Sequence, residues 1–339
     1  MGHDDAMKRT LLSDDMKTIL PFIILLFLPL QLIGANIYVS TTGNDTTGNG
    51  SIGTPYRTIA KAVSVMSSGD DIYLRGGTYY ESMINITGIS GTEANPCSMQ
   101  SYPGEWAVID GGHIGGIDTD NDIIYATTIS WWVFERMEIT GGGGNDFDLL
   151  NNYGSPNTYP DSNTFNGAAF NFYKPRYVTF RYLYIHDNHE ETKYQNGGIN
   201  LRNDSGAANN ITIEFCHFKS NGNPVRHTDA NGNICISSDY AYDGPVDVEW
   251  SQHKNIIRYN LFDGSHASGY IDVAVANKAP QRLTGWIYGE SENEADNTPN
   301  GSAYREYGDK THHNIIINHA QEMRCEQDYA QFYNNIVDL

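Results

Sequence analysis

A loose internal repeat constrains the fold of this chain more than any other feature. Beyond residue 120, the segments WVFERMEIT, YVTFRYLYIHD, NITIEFCHFKS and NIIRYNLFDGS carry apolar residues at equivalent positions. Those positions are Phe134/Ile139, Phe180/Ile185, Ile213/Phe218 and Ile257/Phe262. One such unit cannot bury its own apolar face, so successive units have to stack as the coils of a solenoid.

A second type of short strand lies between these segments. It alternates apolar and polar residues behind a glycine, as in GAAFNF from Gly167, GGINLRND from Gly197, GNICISSD from Gly232 and GYIDVAV from Gly269. Short strands joined by turns and stacked without helices between them form parallel sheets, so the sequence predicts an all-β parallel β-helix. An antiparallel sandwich or barrel is disfavoured, because hairpin signals of the Asn-Gly type are irregular here.

Strand alternation also predicts the core of the solenoid. The residues expected to point inward are Ile199, Leu201, Ile213, Cys216, Phe218, Ile234, Ile236, Ile257 and Phe262. The spacing of the four cysteines indicates no disulfide framework, and we expect Cys216 to be a buried thiol.

The N-terminus carries the apolar run ILPFIILLFLPLQLIGA, from Ile19 to Ala35. Lys17 precedes the run and small residues end it, as in a secretory signal peptide cleaved near Ala35. The run is short for a membrane-spanning helix and contains prolines. We therefore expect residues 1–35 to be an N-terminal extension with a signal peptide and residues 36–339 to be the β-helix domain. The mature protein is then extracellular or periplasmic, with no membrane segment.

Both ends of the solenoid need a cover. At the N-terminal end, apolar residues recur at helical spacing before a strand from Asp71 to Leu74, which predicts a short capping helix. These helical positions are Ile59, Ala62, Val63 and Met66. At the other end, QFYNNIVDL reaches Leu339 directly after a strand. We expect either that the chain is a C-terminally truncated version of a longer protein or that the insertion from Asn277 to His313 folds back over the last coil.

The net charge of −20 and the pI of about 4.7 limit the partners of the chain. Nucleic acids and anionic membrane surfaces would be repelled, which excludes both. A polyanionic polysaccharide would also be repelled unless cations intervene. An acidic extracellular protein can instead collect divalent cations. We expect a monomer.

Three stretches resemble the pectate-lyase-like superfamily of single-stranded right-handed parallel β-helix proteins. They are YVSTTGND…GTPYRTIAKAV…GDDIYLRGGTYYE, then GTEANPCSMQSYPGEWAVIDGG, then coils of the N-I-x-x-x-N type. The resemblance covers nearly the whole chain after residue 35, and its opening section looks most like chondroitinase B and the related alginate lyases. It implies a right-handed solenoid and a polysaccharide lyase acting on an acidic polysaccharide.

The resemblance also implies two catalytic residues. Those lyases are similar to one another in a lysine just after a strand of one coil and an arginine on the outward face of the next, with calcium-binding acids nearby. The matching positions are Lys174, in AAFNFYKPRYVTF, and Arg202, in GGINLRND. The match is incomplete, because Ala169 and Asn171 stand where the relatives place carboxylates and Asn203 follows Arg202 where a His-Gly pair is expected. Any calcium site is therefore elsewhere or missing.

The chemistry of β-elimination suits these residue types. The reaction needs neutralisation of a uronate carboxylate, a base for the proton on the adjacent carbon, and a proton for the leaving oxygen. Lysine suits the base, and arginine suits the carboxylate. Alternation turns Asn171, Asn200 and Arg202 outward, so the two asparagines are candidate substrate-binding residues. A solvent-facing asparagine ladder with solubilising charges is the alternative that the sequence leaves open.

Two loops carry further candidates. In HDNHEETKYQNGG, Asp187, Glu190 and Glu191 supply the oxygen ligands that Ca²⁺ prefers. In KSNGNPVRHTDANGN, Arg226 and His227 lie at the corresponding edge of the next coil, where they are candidates to bind substrate. Solvated loops are the alternative in both cases.

The sequence favours a secreted polysaccharide lyase that cleaves a uronic-acid-containing glycan. A glycoside hydrolase on the same scaffold stays open, because a solenoid brings distant carboxylates together. A non-catalytic glycan-binding or surface β-helix stays open as well.

Overall fold

The chain winds through three parallel β-sheets. The computed structural model describes residues 34–112, 122–142, 167–188, 197–202, 210–219, 221, 226–228, 234–236, 246–249, 254–263, 287–289, 310–317, 324–325 and 331–338. From residue 71 onward, and apart from one antiparallel pair of strands, the described strands visit sheet 1, sheet 2 and sheet 3 in that order, coil after coil. This arrangement confirms the predicted all-β parallel β-helix.

Each sheet takes one strand from each coil it passes through. Sheet 1 contains β1 (Asn36–Val39), β2 (Asp71–Leu74), β5 (Cys97–Ser101), β8 (Ser130–Glu135), β11 (Arg176–Arg181), β14 (Thr212–Glu214), β19 (Ile256–Arg258), β22 (Lys310–His312) and β25 (Gln331–Tyr333). Sheet 2 contains β3 (Gly77–Tyr80), β6 (Ala107–Asp110), β9 (Met137–Thr140), β12 (Tyr184–His186), β15 (His217–Lys219), β20 (Leu261–Asp263), β23 (Ile315–Ile317) and β26 (Ile336–Asp338). Sheet 3 contains β4 (Ile84–Asn85), β7 (Ile124–Thr127), β10 (Phe170–Tyr173), β13 (Ile199–Arg202), β18 (Val246–Glu249), β21 (Ile287–Gly289) and β24 (Arg324–Cys325).

The strand registers confirm the repeat found in the sequence. The equivalent apolar residues form one inward row in sheet 1 and another in sheet 2, and all of them are buried. The rows are Phe134, Phe180, Ile213 and Ile257, then Ile139, Ile185, Phe218 and Phe262. Phe134 and Phe180 pack against Phe170 and Phe172 of sheet 3, with ring centroids between 4.9 and 5.7 Å apart. Aromatic pairs at such distances add to the stabilisation from buried area, so this cluster ties the sheets together.

Most of the predicted core is confirmed. The buried residues are Ile199, Leu201, Ile213, Cys216, Phe218, Ile257 and Phe262. Cys216 is a free thiol whose pKa is raised to about 12 by burial, which makes it an inert core residue.

The placement of Ile234 and Ile236 in a coil strand is wrong. They lie on β17 (Ile234–Ile236), which pairs antiparallel with β16 (Arg226–Thr228) outside the three parallel sheets. The position in sheet 3 belongs instead to β18, whose sequence VDVE alternates in the same way. Short alternating segments look alike in sequence, and pairing with distant strands selects between them. The proposed strand from Gly269 lies outside the described residues.

The predicted capping helix is present as α1 (Ile59–Val65), and β2 has the predicted bounds. The Thr58 hydroxyl accepts from the Lys61 N–H at 3.1 Å. The Glu81 carboxylate accepts the first two N–H groups of the helix at 2.8 and 3.1 Å. The buried face of α1 lies against the first coils. Over the described part of the chain, no helix has the length and apolar character to cross a membrane.

The two ends of the chain are tested only in part. Phe332 and Val337 hold the inward positions of the last described coil and are 42% and 45% exposed. The insertion expected to cover them lies almost wholly outside the described residues, as do residues 1–33. The fold-back, the truncation, the signal peptide and the domain boundary therefore stay predictions.

Candidate functional site

Several predicted site residues share the outer surface of sheet 3. On β10 and β13 the buried aromatic and aliphatic residues point inward, so the residues between them face outward. Asn171 and Asn200 are directly in register there and are termed the amide row. Asp247 of β18 follows Asn200 in the same row of backbone positions. The surface formed by the amide row, Tyr173, Lys174 and Arg202 is termed the sheet 3 face.

Lys174 and Arg202 occupy neighbouring backbone positions. Lys174 directly follows β10, and its Nζ lies 4.7 Å from the centroid of the Tyr173 ring. Tyr173 is in register with Arg202, the last residue of β13. Because paired strands lie about 4.8 Å apart, the two predicted catalytic positions are adjacent in space. Nothing is described of the Arg202 side chain, and the catalytic roles stay predictions.

The left-handed backbone of Lys174 follows from the turn. Its φ is 57°, and Thr128, at the equivalent position one coil earlier, has a φ of 56°. Left-handed conformations cost non-glycine residues about 1–2 kcal/mol. Since two unrelated side chains adopt this conformation at the same point of the coil, it is set by the change of direction from sheet 3 to sheet 1.

Asn171 is held by a buried carboxylate. Its Nδ2 donates to Asp122 Oδ2 at 2.7 Å, and Asp122 Oδ1 accepts from the Ala168 N–H at 3.0 Å. Asp122 is 1% exposed. At 2.7 Å this hydrogen bond lies at the short end of the usual range, so it holds the amide in one orientation. Sequence reasoning missed Asp122. The sequence pattern is an aspartate just before a strand, with an outward asparagine on the corresponding strand of the next coil. This pattern can be recognised only once the strand register is known.

Asn200 is a buried polar residue of the sheet 3 face. It is 0% exposed, and neither Nδ2 nor Oδ1 has a hydrogen-bond partner among the described residues. Leaving a buried amide unpaired costs about 1–3 kcal/mol. Such a group is rare in folded proteins and calls for an explanation, of which a binding role is one.

Asp187, a predicted metal ligand, lies beyond sheet 2 and not on the sheet 3 face. Its Oδ2 is 2.7 Å from His186 Nδ1, and His186 Nε2 is 3.1 Å from Glu138 Oε1. Burial lowers the pKa of His186, but the hydrogen bonds and charges of Asp187 and Glu138 outweigh it and raise that pKa above its ordinary value. The Asp187 carboxylate is thus engaged by an imidazole.

The predicted metal site stays a prediction. Glu190 and Glu191 lie outside the described residues. Across the residues that are described, no group of three or more His, Cys, Asp or Glu side chains is arranged to hold a metal ion. Arg226 and His227 lie on β16 of the antiparallel hairpin, where only the backbone is described, and their binding role also stays a prediction.

Comparison with known families identifies the solenoid. A family model described as "Pel9A-like, right handed beta helix region" matches residues 37–243, more than half of the chain. The chain belongs to the Pel9A-like right-handed β-helix family. Membership confirms the resemblance to the pectate-lyase-like superfamily and the right-handed sense of the coils.

Individual relatives of this Pel9A-like chain are similar over part of their length. Pectate lyase PEL9 of Emericella nidulans is 36% identical over 121 residues, which are 33% of this chain and 29% of that protein. A rhamnogalacturonan lyase structure has a TM-score of 0.52 and 13% identity, covering 90% of this chain and 62% of that one. The structure of XylC with xylose has a TM-score of 0.51 and 11% identity, and the match covers 88% of this chain and 62% of that one. At such identities the two structures show the fold alone, and this chain spans less than two thirds of each relative.

Proposed function

We propose that this protein is a secreted, monomeric polysaccharide lyase that cleaves an acidic, uronic-acid-containing glycan by β-elimination. The observation that carries the proposal is the adjacency of Lys174 and Arg202 at one end of neighbouring strands of sheet 3, beside the amide row. Family membership and the similarity to a pectate lyase support a glycan as the substrate.

The proposed reaction assigns one role to each residue. Lys174 accepts the proton from the carbon next to the uronate carboxylate, and Arg202 binds that carboxylate. The electron pair of the broken C–H bond forms a C=C double bond as the C–O bond to the departing sugar breaks. The departing oxygen then takes up a proton, so one fragment ends in an unsaturated sugar and the other in a new reducing end. Asn171 and Asn200 bind sugar hydroxyls.

The described residues of the sheet 3 face do not fit the calcium ion that the resemblance implies. Asp122, a nearby carboxylate whose side chain is described, already accepts hydrogen bonds on both oxygens. The amide row presents neutral groups instead of the several charged oxygens that Ca²⁺ prefers. No step of the proposed reaction runs through calcium. A requirement for Ca²⁺ bound by Asp187, Glu190 and Glu191 is tested by removing it with EDTA and adding it back.

The test is incubation of the protein with pectate, alginate or chondroitin while the ultraviolet absorbance of unsaturated products is followed. Lys174→Ala should slow elimination by about 10²-fold or more, and Lys174→Arg should do the same because arginine does not release its proton. Lys254→Ala is the matched control, since Lys254 has a φ of 63° and also precedes a sheet 1 strand. It should keep the wild-type rate.

Two results would contradict the lyase assignment. New reducing ends without the ultraviolet signal would show hydrolysis. Binding of a glycan with neither product would show a non-catalytic glycan-binding β-helix.

A further inference from the structure

An exposed column of aromatic side chains follows the corner between sheet 1 and sheet 2. It consists of the residues that directly follow four successive sheet 1 strands, Tyr182, Phe215, Tyr259 and His313, and is termed the aromatic strip. We propose that the aromatic strip is a non-catalytic binding site for a neutral, extended β-linked polysaccharide that lies along the axis of the solenoid. This site goes beyond the proposed lyase reaction and does not depend on it, because the corner does not border the sheet 3 face.

The rings of the aromatic strip overlap like roof tiles. The ring centroids of Tyr182 and Phe215 are 5.2 Å apart, as are those of Phe215 and Tyr259, and the ring planes are 11° and 7° from parallel. Since contacting carbon atoms lie about 3.5–4 Å apart, parallel rings at this centroid distance are offset sideways by about 3–4 Å. Each ring therefore covers only part of the next one. Tyr182, Phe215 and Tyr259 are accordingly 48%, 44% and 43% exposed.

The backbone does not require aromatic residues at this corner. The residues of the aromatic strip have left-handed φ values of 55° to 56°, and a buried residue follows each of them. The corner between sheet 3 and sheet 1 has the same kind of turn, with φ values from 52° to 63°, but polar residues fill it. These residues are Thr128, Lys174, Asn210 and Lys254. The aromatic character of the strip therefore needs a separate explanation.

Stacking alone is not a sufficient explanation. A left-handed conformation strains a tyrosine or phenylalanine, whereas glycine or asparagine adopts it readily. The gain from one stacked aromatic pair is similar in size to that strain, so stacking does little more than offset it. What stays is a row of large rings about half exposed to water. Contiguous exposed apolar surface of this kind marks an interaction site, and strained residues cluster where ligands bind.

The geometry of the aromatic strip selects the ligand. A pyranose ring has an apolar face of C–H groups that packs against an aromatic face, while its hydroxyl groups stay in water. In an extended β-linked chain, such faces follow one another at about the length of one sugar. The strip offers one ring per coil, with successive centroids 5.1 to 5.2 Å apart. One sugar can therefore pack against each ring along the row.

The charges beside the aromatic strip favour a neutral sugar. Arg181 and Arg258 end two of the strands that lead into the strip, and they form ion pairs with Glu135 and Glu214 of the preceding coils. The Arg258 guanidinium also lies 5.8 Å from the centroid of the Tyr259 ring. Because both arginines are already paired with carboxylates, they offer little net positive charge to a uronate. The net charge of −20 further repels a polyanion.

An NMR titration with cellohexaose, a short neutral β-linked glucan, tests the proposal. In the wild type, the ring signals of Phe215 and Tyr259 should shift as the sugar binds. Phe215→Asn removes a central ring and keeps the turn, because asparagine tolerates the left-handed conformation. We expect the Kd for cellohexaose to rise about tenfold, since one aromatic contact is lost. Unshifted ring signals in the wild type, or an unchanged Kd in Phe215→Asn, would overturn the proposal.

Tyr177→Asn is the matched control. Tyr177 has a φ of 53°, is 41% exposed and stacks on Trp131 with the ring centroids 4.1 Å apart. It lies near the start of β11, whereas the aromatic strip begins after the end of that strand. Tyr177→Asn should therefore bind cellohexaose with the wild-type Kd. A tenfold weakening in this control as well would show that the effect is not specific to the strip and would count against the proposal.

Two other roles of the aromatic strip give different results. A purely structural column would make Phe215→Asn unfold at a much lower urea concentration and leave the Kd for cellohexaose unchanged. A protein-docking surface would make the wild type sediment as a dimer that Phe215→Asn abolishes, with no shift on adding sugar. Either result would overturn the proposal.

The test also applies if a variant or the lyase reaction fails. If Phe215→Asn does not fold, Tyr259→Asn removes the neighbouring ring and should raise the Kd in the same way. Phe215→Asn should cleave pectate at the wild-type rate, because the strip takes no part in the reaction. If the wild type leaves pectate uncleaved, the proposed function fails, whereas the cellohexaose titration still decides whether the strip binds a glycan.

Discussion

Two sets of asparagines, the amide row and a turn row of Asn260, Asn314 and Asn335 between sheet 1 and sheet 2, place the same side chain in register on successive coils but satisfy it differently. In the turn row, Asn314 Oδ1 accepts the Asn260 N–H at 3.0 Å, and Asn314 Nδ2 donates to the Ile257 carbonyl at 3.0 Å. Each coil thereby bonds to its neighbour through both atoms of an amide. In the amide row, the Asn171 side chain bonds to Asp122, and the Asn200 side chain bonds to none of the described residues.

This difference separates structural asparagines from candidate functional ones. A fully paired buried amide stabilises the stack and has no capacity left for a ligand. An unpaired one destabilises the fold, and it persists when the unmet hydrogen bonds serve another purpose. Burial alone does not distinguish the two rows, because Asn200 and Asn314 are both 0% exposed.

The largest effect on stability should come from Asn314→Leu in the turn row. This change removes the acceptor for the Asn260 N–H and Nδ2 and the donor to the Ile257 carbonyl, which leaves buried polar groups unpaired. We expect the free energy of unfolding to fall by about 3 kcal/mol or more, since each unpaired group costs about 1–3 kcal/mol. Urea unfolding measures it, and a loss below about 1 kcal/mol would show that the turn row is not what holds these coils together.

The same substitution in the amide row should have the opposite sign. Asn200→Leu removes an amide that is unpaired among the described residues, so we expect the free energy of unfolding to rise by about 1 kcal/mol. Binding of pectate should weaken in the same variant. A loss of stability comparable to that of Asn314→Leu would mean that Asn200 is paired in the folded protein, and the contrast between the rows would disappear.

Some parts of this fold could be predicted from the sequence and others could not. The apolar rows through Phe134 and Ile139 could be predicted because alternation and repetition leave one way to bury them. Lys174 and Arg202 could be placed on neighbouring strands because a family resemblance supplied the register. The bond between Asp122 and Asn171 could not be predicted. It spans 49 residues across coils of irregular length, and the segment around Ile234 shows that alternation alone misplaces a strand.

The smallest predicted effect is a dependence of stability on pH, which comes from side chains on the outer surface of sheet 2. The two ring nitrogens of His186 are paired with the carboxylates of Glu138 and Asp187, and not with amides. The pKa of His186 is raised in the folded protein, so the folded state holds the proton more tightly than the unfolded chain does. By linkage, this stabilisation is fully present below the ordinary pKa of about 6.5 and is lost as the pH rises through the raised value.

The two pairs are partly exposed, because the Glu138 side chain is 24% exposed and the Asp187 side chain is 34% exposed. Their contribution to the free energy of unfolding should therefore be on the order of 1 kcal/mol. His186→Gln keeps a polar side chain without the titration and should flatten the fall in wild-type stability as the pH rises above about 6.5. The loss caused by Asn314→Leu should not vary over the same range, because amides do not titrate. Urea unfolding at several pH values measures both. A His186→Gln protein whose stability falls with pH as steeply as the wild type would show that His186 is not the titrating group.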